Sequence, residues 1–135
     1  AHRIIVQVES HGVRPALAYL HTAHRLAGVA LRPETPVQSL EQFLTLAQSF
    51  LVLGVHPGAQ GNGMLAETAA RVAAVHALAP MHVCSVDGGV NTQTLSSVIV
   101  AGARRVVCGS AVVHATDPHT AYEALLAQAA QTLLQ

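Results

Sequence analysis

One aspartate at the end of an apolar run has the position best suited to chemistry in this sequence. Asp87 lies in CSVDGGVNTQTL (84–95), where the apolar run stops, two glycines turn the chain and a helix is predicted near Asn91. Only 10% of the residues are charged, so a carboxylate at the end of a buried strand needs an explanation. Asp often stabilises such turns, but beside a ligand it can also transfer protons.

Polar or glycine-rich positions follow the other apolar runs too: Glu9, His11, Arg32, His56 with Pro57-Gly58, and Gly109-Ser110. In parallel α/β folds the carboxyl ends of the strands meet at one edge, where ligands bind. Glycine turns there let backbone N–H groups approach a ligand closely, and the last two strands of a βα series often hold a phosphate. The glycines therefore predict a phosphate site beside Asp87.

Alternating apolar periodicities predict the elements that position these residues. Continuous apolar runs predict parallel strands, covered on both faces, at 3–8, 28–33, 50–55, 82–86 and 105–109. Helical spacing predicts helices at 13–27, 35–48, 64–79, 91–102 and from Asp117-Pro118 to Gln135, with Thr35 and Gln38 forming a capping box. The chain is predicted to be a single (βα)5 domain over 1–135, and such units build a doubly wound sheet or a (β/α)8 barrel.

Composition excludes several classes of function. Seven basic and seven acidic residues give a net charge of zero with no basic stripe, so we expect no nucleic-acid binding. No apolar run reaches the ~18 residues of a membrane span, so we expect no membrane partner and a cytoplasmic protein. Cys84 and Cys108 lie in apolar runs, which indicates reduced, buried thiols.

Four segments, in order and spacing, resemble the ribulose-phosphate 3-epimerase family. They are GVALRPETP (28–36), FLVLGVHPGAQG (50–61), VDGGVN (86–91) and VVCGSAVV (106–113). The family has an ALNP.TP strand, a V-P-G-F-G-G-Q loop, and VDGG and GSA strand ends, and IIVQVES (4–10) resembles the strand before them. The resemblance covers essentially the whole chain but only the last five of the family's eight units. It implies a partial TIM barrel, the (βα)5 part of a ribulose-phosphate-binding (β/α)8 barrel.

The resemblance implies a role for each matching residue. Asp87 corresponds to a ligand of a divalent metal (Zn²⁺, Fe²⁺ or Mn²⁺) and to one of two acid/base carboxylates that act at C3 of a pentulose 5-phosphate. Epimerisation passes through an enediolate, so a base acts on one face, an acid on the other, and a cation stabilises the oxyanion. The residues implied to hold the substrate phosphate are Gly88, Gly89, Gly109 and Ser110, with Gly58 and Gly61 in the loop that covers it.

The sequence departs from the family pattern in ways that affect catalysis. The units that carry three metal ligands and the second acid/base group have no counterpart in this sequence. In the cover loop, Ala59 and Gln60 replace an aromatic residue and a glycine, and Asn62 replaces a glutamine. Leu53-Gly54 replaces a methionine and a threonine that line the pocket. We therefore expect an isolated chain to be incomplete or impaired as an enzyme.

Nine histidines offer substitutes for the missing groups. His56 and His11 follow strands that end at the same mouth as Asp87, so His56 is a second candidate metal ligand or acid/base residue. His21 and His24 could chelate a metal at i, i+3 spacing, but their helix packs outside the barrel.

An incomplete barrel also leaves the strands at 3–8 and 105–109 as open edges with unpaired backbone groups. A homodimer, a partner chain that carries the missing units, or a longer parent protein could cover these edges.

Two functions of different class follow. The first is an epimerase of the ribulose-phosphate type that is complete only with residues supplied from elsewhere. The second is a non-catalytic or repurposed sugar-phosphate-binding half-barrel. Both predict binding of a phosphorylated sugar or a phosphate ion, and they differ over a metal at Asp87. Barrel enzymes that make indole or thiamine precursors share the glycine strand ends, but the RPETP and VHPG segments favour the epimerase.

Overall fold

The structure is a computed structural model that describes residues 1–56, 58 and 63–135. Five strands alternate with helices: β1 (Arg3–Gln7), β2 (Leu26–Leu31), β3 (Ser49–Leu53), β4 (Val83–Asp87) and β5 (Arg105–Val107). The helices are α1 (Val13–Thr22), a 3₁₀ helix (Val37–Phe43), α2 (Thr68–Leu78), α3 (Leu95–Val100), α4 (Ser110–Val113) and α5 (Pro118–Leu133). No described helix is long and apolar enough to cross a membrane.

The strands form one parallel sheet in the order β1-β2-β3-β4-β5, so each strand pairs with the next strand of the chain. All five carboxyl ends therefore lie along the same edge of the sheet. The register places Asp87 of β4 opposite Leu53 of β3 and Val107 of β5. The predicted strands are confirmed, with boundaries that differ by at most two residues.

One face of the sheet packs against the helices. Phe50, Val52 and Val86 are almost completely buried and share one core cluster with helical residues such as Leu17 and Val72. Side chains alternate between the two faces of a strand, so the intervening residues point to the opposite face. By the register of the sheet, Ile5 of β1 and Val107 of β5 lie on that opposite face. They are 39% and 43% exposed, so the face is less covered than expected. The prediction that both faces are covered is therefore wrong for this part of the sheet.

The outer strands β1 and β5 each have one strand partner among the described residues. The sheet is thus open rather than closed, as expected for part of a barrel.

Helix α1 ends at Thr22, five residues earlier than predicted. His24 has φ 54°, and Arg25 N donates to Leu20 O (2.9 Å), so the chain reverses immediately after the helix. Leu26 and Ala27, predicted as the last apolar positions of the helix, belong to β2 instead.

The segment predicted as a helix over 35–48 contains the 3₁₀ helix Val37–Phe43. The predicted capping box is wrong, because Pro36 occupies the N-cap position and no side chain caps this helix. The Thr35 hydroxyl donates instead to Glu9 Oε1 (2.5 Å), which ties the end of β2 to the end of β1. Helix α2 starts at Thr68 rather than at 64, and the short helix α4 was not predicted.

Candidate functional site

Asp87 is the last residue of β4, where its backbone oxygen accepts a hydrogen bond from Gly54 N (2.7 Å). Its side chain is half-buried. The backbone contact fixes the position of Asp87 against the segment that follows β3. Among the described residues the carboxylate has no hydrogen-bond or salt-bridge partner, so its oxygens are available to a ligand.

The two glycines after Asp87 form a turn that no other residue fits. Gly88 and Gly89 have φ 105° and 70°, in the left-handed region that favours glycine. A Cβ on Gly88 would lie 2.6 Å from Val55 Cγ2, and a Cβ on Gly89 would lie 2.6 Å from Met64 Cα. Both distances are far below van der Waals contact, so the turn is packed directly against the segments around Val55 and Met64.

Hydrogen bonds from the start of α3 complete this turn. Thr94 Oγ1 donates to Gly89 O (2.9 Å) and accepts from Asn91 N (3.0 Å). Asn91 Oδ1 accepts from Gln93 N (2.8 Å) and Thr94 N (3.2 Å). The helix predicted from Asn91 starts only at Leu95, with Thr94 at the N-cap position, so Asn91 stabilises the turn before the helix. The turn Asp87–Gly88–Gly89 is therefore held by packing on one side and by hydrogen bonds on the other.

The second glycine turn, Gly109–Ser110, is open. Gly109 O accepts from Val112 N and Val113 N, both at 3.0 Å, and both residues of the turn are exposed. No described atom lies within 4 Å of a Cβ built on Gly109. This glycine leaves room for a ligand, but packing within the described chain does not require it.

The predicted cover loop lies mostly outside the described residues. Gly58 is exposed with φ 85°, and a Cβ built on it would meet no described atom within 4 Å. Gly61, together with Ala59, Gln60 and Asn62, is not among the described residues. The role of this loop against the phosphate stays a prediction.

A second polar cluster lies at the carboxyl ends of β1, β2 and β3. Glu9 Oε1 accepts from Arg32 N (2.9 Å) and Thr35 Oγ1 (2.5 Å). Partial burial raises the pKa of Glu9, but these hydrogen bonds outweigh it, so the net pKa lies below its usual value. Arg71 of α2 fixes the same loop, because its Nη2 donates to Arg32 O (2.9 Å) and Thr35 O (2.6 Å).

Glu34 and His56 form a hydrogen bond at the edge of this cluster, between Glu34 Oε1 and His56 Nδ1. The pKa of Glu34 is lowered, first by a hydrogen bond from its own backbone and then by His56. Sequence reasoning noted Arg32 and His56 here, assigned Thr35 to a helix cap and missed Glu34. The signal was available, since RPET places two charged side chains and a hydroxyl directly after a strand.

The other candidate histidines have different surroundings. His21 Nε2 contacts Leu46 O (2.7 Å), which joins α1 to the loop before β3. His24 lies in the chain reversal after α1. His21 and His24 therefore have structural positions, and we do not assign a metal to them. His11 is exposed in the turn after β1.

No group of three or more His, Cys, Asp or Glu side chains among the described residues is arranged to hold a metal ion. Asp87 and His56 do not by themselves form the site that a Zn²⁺, Fe²⁺ or Mn²⁺ ion needs, because such sites take three or more protein ligands. The described donor set therefore does not fit the metal that the resemblance implies.

Comparison with known proteins agrees with the motifs. Residues 1–113 match the model of the "Ribulose-phosphate 3 epimerase family". Ribulose-phosphate 3-epimerase of Schizosaccharomyces pombe is 35% identical over 98 residues, which cover 73% of this chain and 43% of the relative. That of Bacillus subtilis is 33% identical over 121 residues, covering 86% of this chain and 50% of the relative. The chain spans about half the length of the curated relatives it matches.

Solved structures agree on the fold. A 3-hexulose-6-phosphate synthase superposes with a TM-score of 0.76 at 23% identity, covering 95% of this chain and 62% of that one. The Salmonella typhimurium 3-hexulose-6-phosphate synthase gives a TM-score of 0.75 at 20% identity, with 100% and 63% coverage. These are TIM-barrel enzymes, so the fold is a partial barrel rather than a doubly wound sheet. By its sequence motifs, its matched residues and its relatives, the chain belongs to the ribulose-phosphate 3-epimerase family.

Proposed function

We propose that this chain is the sugar-phosphate-binding part of an isomerase of the ribulose-phosphate 3-epimerase type. In this proposal Asp87 transfers a proton at C3 of a pentulose 5-phosphate. The observation that carries the proposal is the Asp87 carboxylate at the end of β4, which has no hydrogen-bond or salt-bridge partner among the described residues and is followed directly by the backbone N–H groups of a glycine turn.

The phosphate is assigned to the two glycine turns. Gly88 and Gly89 follow β4, and Gly109 and Ser110 follow the neighbouring strand β5. Neighbouring strands lie about 4.8 Å apart, so the two turns face a ligand of phosphate size from the same end of the sheet. Backbone N–H groups in glycine turns bind anions without a charged side chain, which suits two turns that carry no basic residue.

Asp87 is assigned proton transfer on one face of the sugar only. Its carboxylate takes the proton from C3, and the electron pair moves toward the C2 carbonyl to give an enediolate. Inversion requires a different group to return a proton to the opposite face. We assign that group, like the further ligands that a metal at Asp87 would need, to residues other than the described ones.

A non-catalytic sugar-phosphate-binding half-barrel is the second candidate. The observation that favours it is the lack of a three-ligand cluster among the described residues. In this alternative the glycine turns keep the phosphate, and Asp87 has only a structural role.

The outer strands β1 and β5 are open edges of the sheet, which favours a partner chain under both proposed functions. An apolar cleft of about 470 Å³ lies beside β5, lined by residues of β5, α4 and α5 that include Val107, Tyr122 and Leu126. We propose that a second copy of this chain, or a chain with complementary βα units, covers the edges. Two free cysteines support a reducing, cytoplasmic location.

The test is exchange of the C3 proton of ribulose 5-phosphate in D₂O, followed by NMR, with and without added Zn²⁺ or Fe²⁺. We expect exchange in the wild-type chain, its loss in Asp87→Asn, and unchanged exchange in Glu123→Gln, a carboxylate variant on the exposed side of α5. Phosphate binding is measured in parallel by calorimetry. Phosphate binding without proton exchange would support the non-catalytic half-barrel. If neither ribulose 5-phosphate nor phosphate bound, both proposed functions would be contradicted.

A further inference from the structure

Glu34 and His56 follow the neighbouring strands β2 and β3, and their side chains contact each other at the edge of the sheet where β4 ends in Asp87. We propose that the Glu34–His56 pair is the acid of the proposed reaction: His56 Nε2 donates its proton to the substrate oxygen that becomes negative when Asp87 takes the carbon-bound proton. This inference rests on the proposed function and adds a second participating residue to the same site.

The pairing fixes the histidine ring in a useful orientation. His56 Nδ1 is held by the Glu34 carboxylate, so Nε2 points away from that partner. The two side chains are 54% and 59% exposed, and a ligand can therefore reach Nε2. A histidine oriented through one nitrogen by a carboxylate, with its other nitrogen directed at a reacting group, is the arrangement that general acid–base catalysis uses.

The backbone places the segment that carries His56 beside the turn that follows Asp87. Gly54 N donates to Asp87 O (2.7 Å), and Val55 N would lie 3.2 Å from a Cβ on Gly88. His56 is the next residue in the chain. The segment that carries the imidazole thus runs directly along the Asp87–Gly88 turn, and a ligand bound at that turn is bordered by it.

The charge of the pair suits an acid. The Glu34 carboxylate has a lowered pKa, to which its contact with His56 contributes. When both ring nitrogens of His56 carry a proton, Nδ1 donates to the ionised Glu34 carboxylate and Nε2 is free to donate to the substrate. Nε2 can then donate a charge-assisted hydrogen bond, which is stronger than a bond between neutral groups.

The step balances with these two residues. Asp87 accepts the C3 proton, the C3–H electron pair forms the C2–C3 double bond, and the carbonyl electrons move to the C2 oxygen. His56 Nε2 gives its proton to that oxygen, which yields a neutral enediol, a neutral imidazole and a protonated Asp87. Return of the hydroxyl proton to Nε2 reforms the carbonyl as C3 is protonated. His56 thereby supplies the oxyanion stabilisation for which the described residues form no cation site.

The experiment compares two probes in the presence of EDTA. Phosphoglycolohydroxamate combines a phosphate with a hydroxamate that resembles an enediolate, whereas inorganic phosphate has only the anion. Both dissociation constants are measured by calorimetry for the full chain. We expect His56→Gln to weaken the hydroxamate by about tenfold or more, as for loss of a charge-assisted bond, and to change phosphate binding less than about twofold. Glu34→Gln should have a smaller effect in the same direction.

The chain offers a matched control. His119 and Glu123 form another exposed His–Glu pair, 3.7 Å apart on α5. His119→Gln should leave both dissociation constants unchanged. Equal weakening of the two probes by His56→Gln, or no weakening of the hydroxamate, would overturn the inference while leaving the proposed phosphate site intact. If the wild-type chain binds neither probe, the proposed function fails, and the inference fails with it.

A measurement on the wild-type chain tests the same inference without depending on the folding of a variant. In ¹⁵N NMR of the histidine side chains, the hydroxamate should shift the Nε2 resonance of His56 and leave that of His119 in place. Phosphate alone should shift neither. A hydroxamate that binds without moving the His56 resonance would overturn the assignment.

Discussion

The two glycine turns of the proposed phosphate site are built in different ways. At the end of β4, Gly88 and Gly89 adopt positive φ values and press against Val55 and Met64. At the end of β5, Gly109 has an ordinary negative φ of −95° and no described neighbour within 4 Å of its Cβ position. The first turn is required by the packing of the described residues, whereas no described residue packs against the second.

This difference separates folding from binding. A glycine that the fold requires says little about ligands, because the same packing would select it in a protein that binds nothing. A glycine with open space around it is not explained by packing, so its most direct use is access. The β5 turn is therefore the better indicator of a ligand, and the β4 turn is the better indicator of stability.

Replacement of the β4 glycine should have the largest effect. Gly89→Ala places a side chain in the left-handed region and against the Met64 backbone, and it should lower the free energy of unfolding by about 2–4 kcal/mol. Gly109→Ala is the matched variant at β5 and should change stability by less than about 0.5 kcal/mol. Urea unfolding followed by circular dichroism measures both. Equal losses in the two variants would abolish the distinction between the turns.

Thiol reactivity should show the same contrast between the two strands that carry the turns. Cys84 of β4 is buried, and burial raises its pKa to about 11. Cys108, which follows β5, is only half-buried, although burial raises its pKa as well. A disulfide reagent at pH 8 should modify Cys108 at least about 100-fold faster than Cys84, whose reaction waits for opening of the sheet. Cys108→Ser should remove the fast phase of thiol modification and leave the slow one. If the fast phase remained in this variant, Cys84 would be the rapidly modified thiol, and the expected contrast would be wrong.

The hydrogen bonds that hold the β4 turn should have a smaller effect than its packing. Thr94→Val removes the hydroxyl that donates to Gly89 O and accepts from Asn91 N, which should cost about 1–2 kcal/mol in unfolding free energy. Thr92→Val, at an exposed position three residues after Gly89, is the control and should be within about 0.5 kcal/mol of wild type. A neutral Thr94→Val would mean that packing alone holds the turn.

The smallest effect is expected on the β5 side, where an exposed cap anchors the following helix. Asp117 accepts from Thr120 Oγ1 (2.6 Å) and from His119 N (3.0 Å), and these bonds, led by that of the Thr120 hydroxyl, lower its pKa below 3.8. Because the pKa is lowered on folding, the stabilisation is present above the usual value and is lost as the pH falls through the lowered one. Asp117→Ser keeps a capping oxygen without a charge, so the wild-type chain should lose more stability than this variant between pH 6 and pH 3. If the urea midpoints of the wild-type chain and of Asp117→Ser fell equally between pH 6 and pH 3, the charge of Asp117 would not stabilise the helix.

The strands and the glycine turns could be predicted because local chemistry determines them. Continuous runs such as FLVL and VCSV suit the buried face of a parallel strand, and Gly88-Gly89 indicates a turn that only glycine can make. Helix ends were predicted less well. Around His24 and at Thr35, tertiary contacts outweighed helical spacing: a chain reversal ended α1, and Glu9 took the Thr35 hydroxyl away from the helix start.

The Glu34–His56 pair could not have been predicted from spacing, because its members lie 22 residues apart. They meet only because β2 and β3 are neighbours and end at the same edge. The phosphate glycines were found from local sequence, whereas a pair formed across two strands needs the register of the sheet.

The order of the strands has a consequence for how such a chain can change. Each of the five described strands lies beside the strands that precede and follow it in the chain, and none of them is inserted between two earlier ones. A cut or a junction between two βα units therefore breaks or makes a single strand pairing, without rethreading any loop. Further units can be joined to either edge by extension alone, which makes the fold easy to build, exchange and recombine piece by piece.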